Sequence, residues 1–296
     1  MTKPVTLIVG STGRLGGLIV KSLLSNNKTD LRLLVRQGSE DKAKQYSDLG
    51  IEIIKGDLVS SSPSDLQKAC EGASTVVSAI IGDRDVTVDG QKKLADAAQK
   101  SGVKLFIPSD FAANFHGCDY GDNYNFDQRK ELSEYLKKTN INHVSVLCGA
   151  FMESALRAFI NFKDRTIPYY GSPDQPLQFT TYEDTAKMVA ELVESGQVTS
   201  GIYGFSAVDA SPKQLKEVAE EVTGEEWRLV NKGSVQDQFA MIQNIKAKNP
   251  NNLYSYLYEQ YTYTMYSGKA YIHEKHEPKN FEFTSLKDYL KKLNKN

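Results

Sequence analysis

Residues 5–16 read VTLIVGSTGRLG, and this stretch decides the fold. Val5–Val9 is a continuous apolar run with the length of a strand that is buried on both faces. Gly10 follows directly, and apolar residues then recur at helical spacing from residue 15 to residue 23. Three glycines therefore occupy the first, fourth and seventh positions between a strand and a helix, which predicts a turn that binds the phosphates of a dinucleotide.

Each glycine of this turn has a predicted task. Gly10 permits the sharp turn, Gly13 lets backbone amides approach a pyrophosphate, and Gly16 lets the helix pack closely on the sheet. A glycine turn that merely connects a strand to a helix is the alternative interpretation. The residues that we predict to bind the cofactor here are Gly10, Ser11, Thr12, Gly13, Arg14, Leu15 and Gly16.

The first half of the chain alternates between strand and helix patterns. Further strands are expected at residues 31–35, 51–54, 75–81, 104–108 and 143–147, and helices at residues 39–46, 64–70, 88–101 and 129–139. This alternation predicts right-handed crossovers and an α/β fold of the Rossmann type, with a doubly wound parallel sheet.

We expect two domains. Residues 1–150 form the dinucleotide-binding domain, to which segments of residues 180–206 return, and residues 151–296 form mainly a smaller α/β substrate lobe. The lobe begins with a polar stretch rich in Pro and Gly at residues 167–176. Helices are expected at residues 182–194, 211–223 and 235–247, and a strand at residues 202–205. Thr181 is the expected cap of the first of these helices.

The end of the second strand predicts which dinucleotide binds. Folds that prefer NAD usually place an Asp or Glu there, about 20 residues after the glycines, to bind the ribose 2′-hydroxyl. Here Arg36 occupies this place, with Ser39 and Lys42 close behind. A guanidinium suits a 2′-phosphate, so we predict NADP(H) as the cofactor. An ordinary surface arginine at a strand end is the alternative.

Three further strand ends complete the predicted cleft, because ligands of such sheets lie beyond the carboxyl ends of the strands. The third strand end should flank the adenine, the fourth the ribose and the fifth the nicotinamide. Asp57 is also consistent with a cap of its own loop. The candidate residues are Asp57, Leu58, Ala79, Ile80, Ser109, Asp110 and Phe111.

Composition excludes several other classes. The 296 residues carry a net charge of −1, so bulk electrostatics predict neither a nucleic-acid nor a membrane partner. Cys70, Cys118 and Cys148 lie far apart, as expected for free thiols, and we expect a cytoplasmic location. His273 and His276 lack a third ligand, so no metal site is predicted.

These motifs together resemble the NmrA-like and isoflavone-reductase-like group of atypical short-chain dehydrogenases. The resemblance extends over nearly the whole chain and includes the glycine turn, Val35-Arg36, Gly56-Asp57-Leu58, Gln91 with its helix, and residues 106–111. It implies NADPH binding, a role for Gln91 at the cofactor and a C-terminal substrate lobe. Many members reduce small conjugated or aromatic-linked molecules, and some are NADP(H)-sensing regulators.

The catalytic position departs from the wider group, because the Tyr-x-x-x-Lys pair of short-chain dehydrogenases is missing. Phe126 precedes Lys130 by four residues, and isoflavone-reductase-like enzymes keep only a lysine in this region. Lys130 is therefore the predicted catalytic residue and a cofactor contact, although counting back from residues 140–141 aligns Arg129 instead. A lysine in an apolar cleft can exchange protons, whereas an arginine stays protonated. A solvated helix start is the alternative interpretation of Lys130.

Two functions from different classes follow. The first is an NADPH-dependent reductase of a small conjugated or aromatic substrate, with Phe111, Phe151 and Met152 shaping the pocket. The tyrosines of residues 254–266 either line that pocket or pack within the lobe. The second is a non-catalytic NADP(H) sensor that acts through a protein partner. Sugar-nucleotide epimerisation is disfavoured by the missing tyrosine. A monomer and a homodimer are both consistent with the sequence.

Overall fold

Strand and helix alternate from Val5 onward, as the sequence predicts. The structure is a computed structural model that describes residues 3–196 and 199–294. The chain divides into two units. Unit 1 comprises Met1–Phe111, Gln128–Val146 and Tyr182–Tyr203, and unit 2 comprises Ala112–Asp127, Leu147–Thr181 and Gly204–Asn296.

The strands are β1 (Val5–Val9), β2 (Asp30–Val35), β3 (Glu52–Lys55), β4 (Ala73–Ser78), β5 (Leu105–Ile107), β6 (Val144–Leu147), β7 (Ala150–Phe151), β8 (Thr166–Tyr169), β9 (Leu177–Thr180), β10 (Gly201–Gly204), β11 (Val208–Ala210) and β12 (Arg228–Asn231). The α-helices are α1 (Arg14–Asn26), α2 (Glu40–Ser47), α3 (Pro63–Cys70), α4 (Gln91–Lys100), α5 (Tyr124–Leu136), α6 (Met152–Ala155), α7 (Tyr182–Glu194), α8 (Pro212–Thr223), α9 (Val235–Lys248), α10 (Tyr254–Tyr266) and α11 (Leu286–Asn294).

The centre of unit 1 is a parallel sheet in the order β3-β2-β1-β4-β5. Leu7 and Ile8 of β1 point to opposite faces, and both are fully buried, which explains the continuous apolar run. The strand order reverses direction between β1 and β4. This is the topological switch point, where open α/β sheets bind their ligands, so the predicted Rossmann fold is confirmed.

Two element boundaries differ from the sequence-based expectation. Helix α5 begins at Tyr124, not at residue 129, because the side-chain oxygen of Asn123 accepts hydrogen bonds from the amides of Asn125 (2.9 Å) and Phe126 (3.1 Å). This cap starts the helix early and buries Phe126. The helix expected over residues 88–101 begins with a π-helical turn, Asp85–Gly90, which leads into α4.

Unit 2 contains the three-stranded sheet β11-β9-β7 and the parallel pair β12-β8. The stretch rich in Pro and Gly is not wholly irregular, because its first residues lie in β8. Phe159, Phe179 and Trp227 are fully buried in the core of this unit. Leu286 and Leu290 of α11 are also buried there, so one face of this helix packs on the same core. Substrate binding by residues 151–296 stays a prediction.

Helix α10 contains the tyrosine-dense segment. Tyr256, Tyr263 and Tyr266 are buried, and the Tyr266 hydroxyl donates to the Pro168 carbonyl (2.7 Å), so these rings pack within unit 2. Tyr254 lies on the surface. Within residues 3–196 and 199–294, no helix is long and apolar enough to cross a membrane.

Candidate functional site

The turn after β1 accepts only glycine at two positions. Gly10 has a φ of +86°, and a Cβ on it would lie 2.2 Å from the carbonyl oxygen of Ala79, just beyond β4. A Cβ on Gly16 would lie 2.2 Å from the carbonyl oxygen of Gly10. No side chain fits at these distances without moving the backbone. The start of α1 is therefore held against the carboxyl ends of β1 and β4.

The same turn has the features of an anion site. Helix α1 begins at Arg14, and the residue before it, Gly13, has no side chain with which to cap the first amides. These amides carry the positive end of the helix dipole. Ser11 is only 1% exposed, and its hydroxyl has no hydrogen-bond partner in the described part of the chain. Leaving such a buried hydroxyl without a partner costs about 1–3 kcal/mol, which a phosphate oxygen that accepts its hydrogen bond would recover.

Arg36 follows β2 and is exposed. The amide of Ser39 donates to the Arg36 carbonyl (3.1 Å), which closes a tight turn. Glu40 accepts a hydrogen bond from the Gly38 amide (2.6 Å), and bonds from the backbone of Glu40 and of Gly38 lower the pKa of the Glu40 carboxyl. The loop after β2 thus exposes a guanidinium and a carboxylate within five residues of each other in sequence.

Arg14 is exposed and lies over an aromatic ring. Its guanidinium carbon is 4.6 Å from the centroid of the Tyr182 ring, at the start of α7. This cation–π contact restricts the orientation of the cation. The sequence predicts only a helix that begins at residue 182 with Thr181 as its cap, so the contact of Tyr182 with Arg14 is one that the sequence pattern did not reveal. Its partner is 168 positions away, beyond the reach of any local motif.

Hydrogen bonds between side chains and backbone join the ends of β4 and β5. The Ser109 hydroxyl donates to the Ile80 carbonyl (2.7 Å), and the Ile80 amide donates back to the same oxygen (3.0 Å). The Ser109 amide donates to the side chain of Gln91 (2.8 Å), whose other end donates to the Thr87 carbonyl (2.7 Å). Gln91 and Ser109 thereby shape the cleft edge, since their own polar groups bind the backbone.

The loop after β3 is organised in a similar way. One carboxylate oxygen of Asp57 accepts from the amides of Val59 (2.7 Å) and Ser60 (3.1 Å), which is the capping use that the sequence left open. Leu58 is buried in the core of unit 1. Beyond β4, Ile80 packs on that core, whereas Ile81 is 95% exposed.

Asp110, after β5, is a buried carboxyl. It is 2% exposed, and the Ser145 hydroxyl of β6 donates to its Oδ2 (2.6 Å). Burial raises the pKa of Asp110 to about 6, against the opposing effects of the Ser145 hydrogen bond and the nearby Arg129 charge. The backbone carbonyl of Asp110 accepts from Nε of Arg129 (2.9 Å). The fifth strand end thus brings a cation and a carboxyl together.

Arg129 lies on the buried face of α5. It is spaced three residues from Phe126 and four from Ser133, and both of these residues are buried. Positions with this spacing share one side of a helix. The Arg129 Nε reaches the Asp110 carbonyl, while the residue as a whole stays partly exposed.

Lys130 is one residue further along the helix and is partly exposed, as Arg129 is. Whether Lys130 contacts the cofactor stays a prediction. For Arg129, the other candidate that the sequence left open, the side-chain Nε lies at the end of β5.

Glu131, the residue after Lys130, binds two cations outside helix α5. Its carboxylate accepts from Arg84 Nη2 (2.6 Å) and from Lys92 Nζ (2.8 Å). These two hydrogen bonds lower the pKa of Glu131 to about 2. Helix α5 is thus anchored to Arg84, in the segment after β4, and to Lys92 of α4.

The predicted substrate-pocket residues fall in both units. Phe111 is buried at the end of a unit 1 segment. In unit 2, Phe151 is half-buried in β7, and Met152 is buried in the hydrophobic core. A pocket formed by these residues stays a prediction. Within the part of the chain that the structure describes, no group of three or more His, Cys, Asp or Glu is placed to hold a metal ion.

The fold and the turn define a doubly wound α/β protein with a glycine turn at the switch point of its sheet. This chain belongs to the NmrA-like family, because the model of that family matches residues 2–290.

Named relatives and solved structures extend this result. The chain is 29% identical over 161 residues to a probable pinoresinol-lariciresinol reductase 3 of Arabidopsis thaliana, a match that covers 53% of this chain and 51%, about half, of that protein. The structure of isoflavone reductase has a TM-score of 0.83 at 18% identity and covers 99% of this chain and 100% of that one. AtPrR2, solved with NADP+ and (+)pinoresinol, has a TM-score of 0.79 at 21% identity over 98% of this chain and 99% of that one.

The buried Asp110 gives a testable pH dependence of stability. Its pKa is higher in the folded protein (about 6) than the usual aspartate value of 3.8, so the folded state binds more protons between these pH values. Stability must therefore fall as pH rises through this window. We expect the free energy of unfolding of Asp110→Asn, relative to the original protein, to rise by about 2 kcal/mol from pH 4 to pH 7. Urea denaturation at four pH values measures this difference.

A second variant checks the cause. Ser145→Ala removes the hydrogen bond that favours the Asp110 carboxylate, so the pKa of Asp110 should rise further and the loss of stability should extend to higher pH. A stability difference between Asp110→Asn and the original protein that stays constant from pH 4 to pH 7 would contradict the burial argument.

Proposed function

We propose that this protein is an NADPH-dependent reductase of a small conjugated or aromatic substrate. The observation that carries the proposal is the glycine turn, in which backbone contacts exclude a Cβ and a buried Ser11 hydroxyl lacks an acceptor. A pyrophosphate would accept hydrogen bonds from that hydroxyl and from the first amides of α1.

The comparisons support the proposed reductase activity, but they do not define its substrate. The chain belongs to the NmrA-like family, and the relative and structures described above are named as reductases or contain NADP+. We extend NADP(H) binding to this chain on the strength of its own turn and of Arg36, an exposed cation at the second strand end. Such an environment suits the 2′-phosphate of NADP(H).

NADPH would supply a hydride at the carboxyl edge of the sheet. The chain itself would hold the cofactor: the turn by amides and the Ser11 hydroxyl, and the loop after β2 by the Arg36 guanidinium. Ile81, 95% exposed just beyond β4, offers an apolar surface at the same carboxyl edge of the sheet. Lys130, the residue that the sequence favoured for proton transfer, remains a candidate, to be tested beside Arg129.

Cofactor preference has a direct test. Arg36→Ala removes the cation proposed for the 2′-phosphate, so the Kd for NADPH should rise about 10- to 100-fold, whereas the Kd for NADH should change less than threefold. Isothermal titration calorimetry measures both. Arg228→Ala, an exposed arginine of unit 2, is the matched control and should change neither constant. Equal losses for both cofactors in Arg36→Ala would remove the 2′-phosphate assignment.

The contact between Arg14 and Tyr182 gives a second test of cofactor binding. Tyr182→Leu removes the ring that holds the guanidinium, so NADPH should bind about two- to fivefold more weakly. Tyr182→Phe keeps the ring and should bind within twofold of the original protein. If the Leu and Phe variants bind NADPH equally well, the ring does not position Arg14 for the cofactor.

A measurement of NADPH turnover distinguishes the proposed reductase from the alternative, a non-catalytic sensor. With saturating NADPH and a panel of enones, quinones and aryl ethers, a reductase should oxidise NADPH in proportion to substrate consumed, followed at 340 nm. A sensor should bind NADPH and NADP+ with clearly different Kd values and leave the cofactor unchanged throughout the panel. That second pattern would replace our proposal with the regulator alternative.

A further inference from the structure

We propose that Tyr46 is a positioning residue for the cofactor: its hydroxyl holds the peptide between Ser11 and Thr12 in the orientation that leaves the Thr12 amide for a pyrophosphate. This inference rests on the proposed binding of NADP(H) and deepens it, because it explains what keeps the glycine turn in a shape that can bind phosphates. It gives helix α2 a part in cofactor binding.

A hydrogen bond joins α2 to the glycine turn within unit 1. The Tyr46 hydroxyl donates to the Ser11 carbonyl (3.3 Å), although the two residues are 35 positions apart in sequence. Tyr46 is half-buried, and this burial raises the pKa of its hydroxyl. The hydroxyl therefore keeps its proton at neutral pH and remains a donor to the turn.

The geometry of the peptide bond carries the effect of this contact to the next residue. The peptide between Ser11 and Thr12 is trans, and in a planar trans peptide the C=O and the N–H point in opposite directions. Donation to the Ser11 carbonyl therefore also fixes the Thr12 N–H, which faces away from Tyr46. If this peptide were reversed, a carbonyl oxygen would replace the amide, and that oxygen would repel a phosphate instead of binding it.

Helix α1 leaves room for the Tyr46 hydroxyl at Gly17. A Cβ on Gly17 would lie 3.2 Å from the hydroxyl oxygen and 3.3 Å from the Ser11 carbonyl oxygen. Both distances are shorter than ordinary van der Waals contacts, so a side chain there would push the donor and the acceptor apart. Gly17 lies inside α1, where the backbone conformation suits any residue except proline. The contact with Tyr46 thus gives a reason for the missing side chain.

The backbone of Tyr46 is itself held in place. Its carbonyl accepts hydrogen bonds from the amides of Leu49 (3.1 Å) and Ile51 (3.1 Å), just before β3. Ala43, one helical turn earlier on the same face of α2, is 3% exposed. At the other end of the contact, the Ser11 hydroxyl is buried and lacks an acceptor in the described part of the chain. A fixed donor thus orients the backbone of a residue whose side chain is suited to a ligand.

Tyr46→Phe tests this role, because it keeps the ring and removes only the donor. NADPH and NADH share the pyrophosphate, so the Kd for each should rise by the same factor, about three- to tenfold, in isothermal titration calorimetry. Tyr254→Phe removes an exposed hydroxyl of unit 2 and is the matched control, which should change neither constant. A Kd for NADPH within twofold of the original value overturns the proposal, and so does a loss confined to NADPH.

Gly17→Ala disturbs the same hydrogen bond from α1. It should weaken NADPH binding about three- to tenfold in the original protein. Combined with Tyr46→Phe it should add less than about a twofold loss, because the contact that it disturbs is then already absent. Losses that multiply in full would show that the two residues act independently, and this result would also overturn the proposal.

Phosphorus NMR of the NADPH-saturated protein locates the effect on the cofactor. Tyr46→Phe should shift the pyrophosphate resonances and leave the 2′-phosphate resonance in place. Unchanged pyrophosphate resonances would overturn the proposal, as would a shift of the 2′-phosphate resonance alone. If the original protein binds neither NADPH nor NADH, the proposed function fails. If it binds both and Tyr46→Phe binds them equally well, this inference alone fails.

Discussion

The rest of unit 1 depends on the close approach of Gly10 to the carbonyl oxygen just beyond β4. A Cβ at Gly10 would lie 2.2 Å from the Ala79 oxygen, and one at Gly16 would lie equally close to the Gly10 oxygen. These two contacts place the N-terminus of α1 directly over the switch point of the sheet. Because the amides of a helix N-terminus and the strand ends then meet, the backbone alone presents a surface with the features of an anion site.

Most polar side chains around this surface serve the scaffold. Gln91, Ser109 and Asp57 form hydrogen bonds with backbone groups of neighbouring strand ends and loops. A buried polar group must find a partner, and in this protein the backbone provides it. The groups that remain suited to a ligand are the amides of the turn, the Ser11 hydroxyl and the exposed Arg36. The residues that shape the strand ends are thus different from the residues that are suited to contact a ligand.

Helix α5 shows how the scaffold selects a functional residue. Its orientation is fixed on one side by the ion pairs of Glu131 and on the other by buried Phe126. With these contacts made, the Arg129 Nε reaches the Asp110 carbonyl, and both Arg129 and Lys130 are partly exposed. The fold therefore places a cation that cannot exchange a proton beside the end of β5.

The sequence by itself determined the sheet, the switch point and the glycine turn, because strand burial and helical spacing leave local periodic patterns. It also placed Arg36 at the second strand end by counting from the glycines. Only the tertiary structure showed that Asp57 caps its own loop, that Tyr182 stacks on Arg14, and that Arg129 faces β5. These facts depend on contacts between residues far apart in the chain and on the rotation of α5 about its axis. A difference of one residue in helical phase turns a side chain by about 100°, and packing against the sheet sets that phase.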